Sequence, residues 1–174
     1  MLAPFLVVLI LAQERTASYF AAAIFVVGAA TDGLDGYLAR RHAAVTKTGQ
    51  WLDPLADKIL VAAAVVTLAA LGEFPVWAAA IIVVRELGVS LLRAYLGFRG
   101  IGMPASKAAK LKTTLQLVAI TLYILPLGGG ADGVKLGLLI AAVVMTVITG
   151  LQYSVGAGTL LRRPAPPVPG GPTR

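Results

Sequence analysis

Apolar residues in this chain run in long stretches, and the polar residues gather in short clusters between them. Crossing a hydrocarbon core of ~30 Å takes ~20 helical residues at a rise of ~1.5 Å each. Against that length the pattern predicts helices near residues 1–13, 17–40, 49–71, 75–97, 110–128 and 136–161, an all-α polytopic membrane bundle of six transmembrane helices. The first is short, because 13 uncharged residues precede Glu14, enough for about two-thirds of a crossing. The second, third and fourth enclose ionised residues, which are costly in hydrocarbon and therefore point to function. Gly72 to Pro75 break the chain after the third helix, and the glycine-rich run LGGGADG at 127–133 turns it after the fifth. The proline-rich end PAPPVPGGPTR reads as extended and disordered. The expected organisation is a transmembrane domain over 1–161 and a cytoplasmic tail over 162–174.

Composition agrees with that solvent. With 58% apolar and 13% charged residues and a mean hydropathy of +0.85, there is too little polar surface to coat a soluble globule. A signal peptide does not explain the start, since no basic residue precedes the first apolar run and several more apolar segments follow. The absence of cysteine excludes a disulfide scaffold, a zinc–thiolate site and a thiol nucleophile.

Charge orients the bundle. Arg40, Arg41, Lys47, Arg99, Lys107, Lys110, Lys112, Arg162, Arg163 and Arg174 fall on one side of a six-helix layout, against Arg15 and Lys135 on the other. By the positive-inside rule the first side, with both termini, faces the cytoplasm. The net charge of +7 follows this loop alternation, so it reads as a membrane-surface signal and no nucleic-acid role is assigned. Trp51 and Trp77 stand near helix ends, as interfacial aromatics do.

Four of the eight acidic residues fall between Asp32 and Asp57. Asp32 and Asp35 are spaced i,i+3 at the cytoplasmic end of the second helix, and Asp53 and Asp57 i,i+4 at the start of the third, so each pair shares a helix face. Four uncompensated charges at a membrane boundary are costly, and Arg40 and Lys58 do not balance them, which makes divalent cations the natural counter-charge. Oxygen ligands alone suit a hard ion, Mg2+ or Mn2+. Gly36, Ala39 and Gly49 sit one turn from these aspartates and let something bulky approach the backbone. The planar fork of Arg40 suits a phosphate or base edge, and Thr46 adds a hydroxyl in the connecting loop. A purely structural reading also exists: Asp53-Pro54 is a good helix start and Asp35-Gly36 a good turn. Capping accounts for one aspartate and leaves the other three unexplained.

The series Asp32-x-x-Asp35-Gly36-x-x-Ala39-Arg40, eight residues, Gly49-x-x-x-Asp53-x-x-x-Asp57 resembles, without a mismatch, the signature of the CDP-alcohol phosphatidyltransferase family. The resemblance implies a six-helix membrane enzyme, usually a homodimer, whose aspartates hold two divalent metals at the diphosphate of a CDP-linked lipid. It also implies that Gly36, Arg40 and the position of Thr46 contact the CDP portion, and that Asp57 matches the proposed general base. The chemistry suits these residues: an alcohol attacks a phosphoryl group in line as CMP leaves, two metals neutralise the diphosphate, and a carboxylate takes the hydroxyl proton. His42 is the one histidine and reads as an interfacial residue, so a phospholipase-D-type transferase with two histidine motifs is disfavoured.

Arg85 and Glu86 lie within the fourth helix, Arg93 two turns on, and Lys107, Lys110 and Lys112 at the mouth of the fifth. Arg85 with Glu86 has a bland reading as a structural pair, and the others as positive-inside residues with snorkelling lysines. The functional reading is an acceptor phosphate pocket of Arg85, Arg93, Lys110 and Lys112, which a phosphorylated polyol needs and serine does not. The stretches VRELGVSLLR, KLKTTLQ, DPLADK and LQY look like those of bacterial phosphatidylglycerophosphate synthases, which implies CDP-diacylglycerol as donor and glycerol 3-phosphate as acceptor. The resemblances together span roughly 17–155. Members of that type carry a further stretch ahead of the first helix, including a juxtamembrane segment at the lipid entrance. This chain begins within that helix, so a truncated or misassigned start is expected. The alternatives are inositol phosphate as acceptor, phosphatidylglycerol as acceptor for cardiolipin, and, from another class, a divalent-cation transporter. A conduction path would string carboxylates through the bilayer depth, whereas these four gather at one end.

Overall fold

The computed structural model describes the backbone of residues 2–42, 49–99, 101 and 107–161, and the side chains of those residues outside 32–57, 107 and 161. Among the described residues six α-helices make up the fold and no strand occurs: α1 Ala3–Leu11, α2 Arg15–His42, α3 Gly49–Ala70, α4 Val76–Phe98, α5 Lys107–Ile124 and α6 Asp132–Leu161. The expected element order holds throughout, and most boundaries fall within a few residues of it.

The differences have local causes. Pro126 cannot continue a helix, and α5 stops at Ile124, four residues short of expectation, where the Leu127 amide donates to Leu125 C=O at 2.8 Å. A 3-10 turn at Gly129–Ala131 then feeds α6, which starts at Asp132, earlier than expected. The Asp132 carboxylate lies in that first turn, where the helix dipole favours a negative charge. After α3, Gly72 takes φ +75°, the Gly72 amide bonds Ala69 C=O at 3.1 Å, and the Glu73 amide bonds Leu68 C=O at 3.0 Å. This paired arrangement closes the carbonyl end of a helix and needs a residue tolerant of positive φ. Phe74, next in line, packs edge-on against Tyr123 with ring centroids 4.8 Å apart, tying the turn to α5.

All six helices contribute to one core, with Leu6, Phe25, Leu68, Ile82, Ile120 and Leu139 at its centre. α2 packs against α1, α3 and α5, while α6 packs against α4 and α5. The approach of α2 to α3 is close at Gly28, where a Cβ would lie 2.8 Å from Leu60 Cδ2. Ala there needs only a shift of the flexible Leu60 end, but a larger side chain must push the helices apart. Gly28→Leu is therefore expected to lower the thermal midpoint in detergent, with Gly28→Ala close to the parent; equal midpoints for all three would contradict this packing.

The outward faces are apolar as well. Phe5, Phe20, Val27, Val66, Val84, Leu91, Ile140 and Leu151 are exposed large hydrophobics on five of the helices. Among the described residues one helix, Gly129–Leu160, is long and apolar enough to cross a membrane by itself, and Arg15–Thr31 and Lys58–Ala70 are shorter apolar segments.

Candidate functional site

The Gly28–Leu60 contact sets the register of the α2–α3 pair. Four residues beyond Gly28 is Asp32, and seven beyond it is Asp35; three residues before Leu60 is Asp57, and seven before it is Asp53. In helices of 3.6 residues per turn, those offsets put positions 32 and 35 on the Gly28 stripe of α2 and positions 53 and 57 on the Leu60 stripe of α3, on the side of that contact toward the 43–48 connection. Gly36, Ala39 and Arg40 follow on α2, and Gly49 opens α3. The side chains of all these residues lie outside the described ones, and so does Thr46 altogether. Among the side chains that are described, no three acidic or histidine groups come together.

The described polar centre is built on α4. The Glu86 carboxylate is buried, 7% exposed as a residue, and gathers three cations. Lys58 of α3 donates to Oε2 at 2.8 Å, Arg85 Nη1 donates to Oε1 at 3.2 Å, and Lys112 of α5 donates to the same Oε1. Four residues on, Ser90 Oγ bonds the Glu86 carbonyl at 2.6 Å. Three helices are joined by one carboxylate. In a medium of low dielectric each cation would be costly alone, and stripping one partner from a buried pair typically costs about 3–5 kcal/mol.

α6 completes the seat. Arg85 Nη2 donates to Thr149 Oγ1 at 2.9 Å, and the Thr149 hydroxyl in turn donates to Met145 C=O at 2.7 Å. Gly150 leaves room for the Arg85 stem, since a Cβ there would lie 3.3 Å from Arg85 Cγ. Two turns along α4 from Arg85, Arg93 Nη2 donates to Tyr153 Oη at 2.5 Å, with the guanidinium carbon 4.6 Å from the ring centroid. Gln116, one turn beyond Lys112, is buried, and its Oε1 and the Nε of Arg85 have no hydrogen-bond partner among the described residues.

Of the four residues expected around an acceptor phosphate, Arg85 and Lys112 come together on Glu86, and Arg93 stands two turns away beside Tyr153. Lys110 is exposed, because residues two apart on a helix face in different directions. The pairing of Arg85 with Glu86 was legible from adjacency, but Lys58, Thr149, Gly150 and Tyr153 were not linked to it. A signal existed in α6, where Thr146, Thr149, Gly150 and Tyr153 form a polar and small stripe at helical spacing within an apolar helix.

The model of the family described as CDP-alcohol phosphatidyltransferase matches residues 1–148. A probable phosphatidylglycerophosphate synthase of Mycobacterium tuberculosis is 43% identical over 141 residues, covering 81% of this chain and 67% of that protein. A CDP-diacylglycerol–glycerol-3-phosphate 3-phosphatidyltransferase of Rickettsia typhi is 35% identical over 157 residues, 88% of each chain. The protein of the same name from Bacillus subtilis is 37% identical over 135 residues, 76% of this chain and 70% of its own. With the signature complete and the family model spanning 1–148, the chain belongs to the CDP-alcohol phosphatidyltransferase family.

Proposed function

We propose that this chain transfers the phosphatidyl group of CDP-diacylglycerol to glycerol 3-phosphate, giving phosphatidylglycerophosphate and CMP in phospholipid synthesis. The observation that carries this reading is the family match over residues 1–148. Relatives named for the same reaction cover most of the chain. Those names do not favour inositol phosphate, phosphatidylglycerol or cation transport.

The donor set fits divalent metal. Asp32, Asp35, Asp53 and Asp57 offer only carboxylate oxygens, the chemistry of Mg2+ or Mn2+. Bound there, two such ions supply charge neutralisation for a diphosphate. Gly36, Ala39 and Gly49 leave the backbone open to the nucleotide, while Arg40 and Thr46 donate to it. The acceptor phosphate is held by Arg85, Arg93 and Lys112, with Lys110 exposed on another face of α5, which leaves the hydroxyl of the polyol toward the donor. Its oxygen forms a bond to the phosphatidyl phosphorus as the bond to the CMP oxygen breaks, and the proton goes to Asp57.

The exposed apolar residues on all six helices support a lipid setting for residues 1–161, with six crossings in the cell membrane and 162–174 as a cytoplasmic tail. The lysine and arginine bias supports an active site open to the cytoplasm. A homodimer is the expected assembly on the resemblance to the family.

Labelled glycerol 3-phosphate, incubated with purified protein, CDP-diacylglycerol and Mg2+, should pass into the lipid extract as phosphatidylglycerophosphate. Label that stays in the aqueous phase, while inositol phosphate enters lipid, would overturn the acceptor assignment. Asp57→Asn tests the additional role of this metal ligand as base: donor affinity should be retained better than turnover, since only turnover needs the proton accepted. A parallel fall of both would remove the support for Asp57 as base.

A further inference from the structure

Among the described residues, three cations meeting one carboxylate leave an imbalance. Lys58, Arg85 and Lys112 against Glu86 sum to +2, in a site where Glu86 and Lys112 side chains are 9% and 4% exposed. Arg85 and Lys112 share Oε1, and Lys58 holds Oε2, so both carboxylate oxygens are in use. The Nε–H of Arg85 remains buried without a partner among the described residues. The cluster thus presents an excess of two positive charges and a spare donor, matching a phosphate monoester, which carries about −1.5 to −2 near neutral pH. A cavity of about 10 Å³, the size of a water, lies between α3 and α4 beside Lys58 and Glu86 and is walled by Val61, Ile82 and Leu87.

We propose that Glu86 is a positioning residue for the acceptor: its carboxylate holds Lys58, Arg85 and Lys112 from three helices together, so that their surplus charge receives the acceptor's phosphate. This rests on the reading that the acceptor carries a phosphate. Glu86 itself repels that phosphate and does not bind it. Its effect runs through the three cations, which would repel each other and separate without a negative charge between them. A glutamine in its place has nearly the same shape and one carbonyl acceptor, but no charge, so it cannot keep three cations converged. The assignment adds Lys58 to the group that answers to the phosphate. Because Lys58 follows Asp57 in α3, it also ties the acceptor side to the helix that carries the proposed base.

The test is steady-state kinetics on Glu86→Gln, Glu86→Asp and the double variant Lys58→Met/Glu86→Gln, at fixed free Mg2+, with inorganic phosphate as a competing probe. Glu86→Gln should raise KM for glycerol 3-phosphate and weaken inhibition by inorganic phosphate, each by about ten-fold or more. KM for CDP-diacylglycerol should stay near that of the parent. Glu86→Asp, which keeps the charge, should lie nearer the parent than Glu86→Gln on both measures. If Glu86→Gln does not fold, the double variant, which removes one charge of each sign, carries the same expectation. An unchanged or lowered acceptor KM in a variant that still binds donor overturns the proposal, as does failure of both glutamine variants to give donor-binding protein, since Glu86 is then a folding strut. Parent protein that uses glycerol as well as glycerol 3-phosphate, and ignores inorganic phosphate, refutes the phosphate-acceptor reading itself. Inhibition of the parent by inorganic phosphate, with no change in Glu86→Gln, refutes only the role of Glu86.

Discussion

Asp32→Asn, Asp35→Asn and Asp53→Asn should each reduce CMP release to background while leaving a folded, membrane-extractable protein. Removing a group that only supports a metal ligand costs ~10–100-fold in affinity or activity, so loss of a ligand shared by metal and diphosphate should exceed ~100-fold. Asparagine keeps the shape of the side chain and one oxygen, but not the charge that binds a divalent ion. The fold should tolerate the change, because the three positions lie in the halves of α2 and α3 nearer the 43–48 connection, beyond the core built on Phe25, Leu60 and Leu68. An excess of chelator should have the same effect on the parent, and Mg2+ or Mn2+ should reverse it. Substantial CMP release by any of the three variants, or by the parent in chelator, would contradict the metal assignment.

The second large effect is expected on the acceptor side. Arg93→Met and Lys112→Met should each raise KM for glycerol 3-phosphate ten-fold or more, the scale of ~1.5–3 kcal/mol for a hydrogen bond to a charged group. Neither should much alter KM for CDP-diacylglycerol. Lys112→Met leaves Glu86 with Lys58 and Arg85 as partners, so the carboxylate is not stranded and the protein should fold. Lys110→Met should have a smaller effect, since that side chain is exposed and its charge is screened. Titrating both substrates in each variant checks this directly. Equal weakening of the two substrates would show that the cluster is a topology signal rather than a phosphate site.

The helices were legible because apolar length alone marks them, and Pro75, Gly72 and the glycines at 128–130 mark the breaks. Their ends shifted where local bonding decides: Pro126 shortened α5, and Asp132 let α6 begin early. The aspartate pairs were legible within each helix from spacing, and their joining into one site rests on the signature, since those side chains lie outside the described ones. Which turn of α2 meets which turn of α3 depends on a close contact between Gly28 and Leu60, residues 32 apart in the chain. The Glu86 cluster was hidden for the same reason. Arg85–Glu86 is adjacent in sequence, whereas Lys58 and Lys112 reach Glu86 from 28 and 26 residues away. Hydrophobic periodicity reports which face is apolar, and carries no information on which buried cation will share a carboxylate with which other.

One measurement bears on the whole account. Purified protein, CDP-diacylglycerol and Mg2+ are supplied in turn with glycerol 3-phosphate, glycerol, inositol phosphate, phosphatidylglycerol or no acceptor, and CMP release is followed. The account predicts rapid release with glycerol 3-phosphate, release near background with the others, and none when Mg2+ is chelated. CMP release that is equally fast with glycerol, or that is faster with inositol phosphate or phosphatidylglycerol, would contradict it.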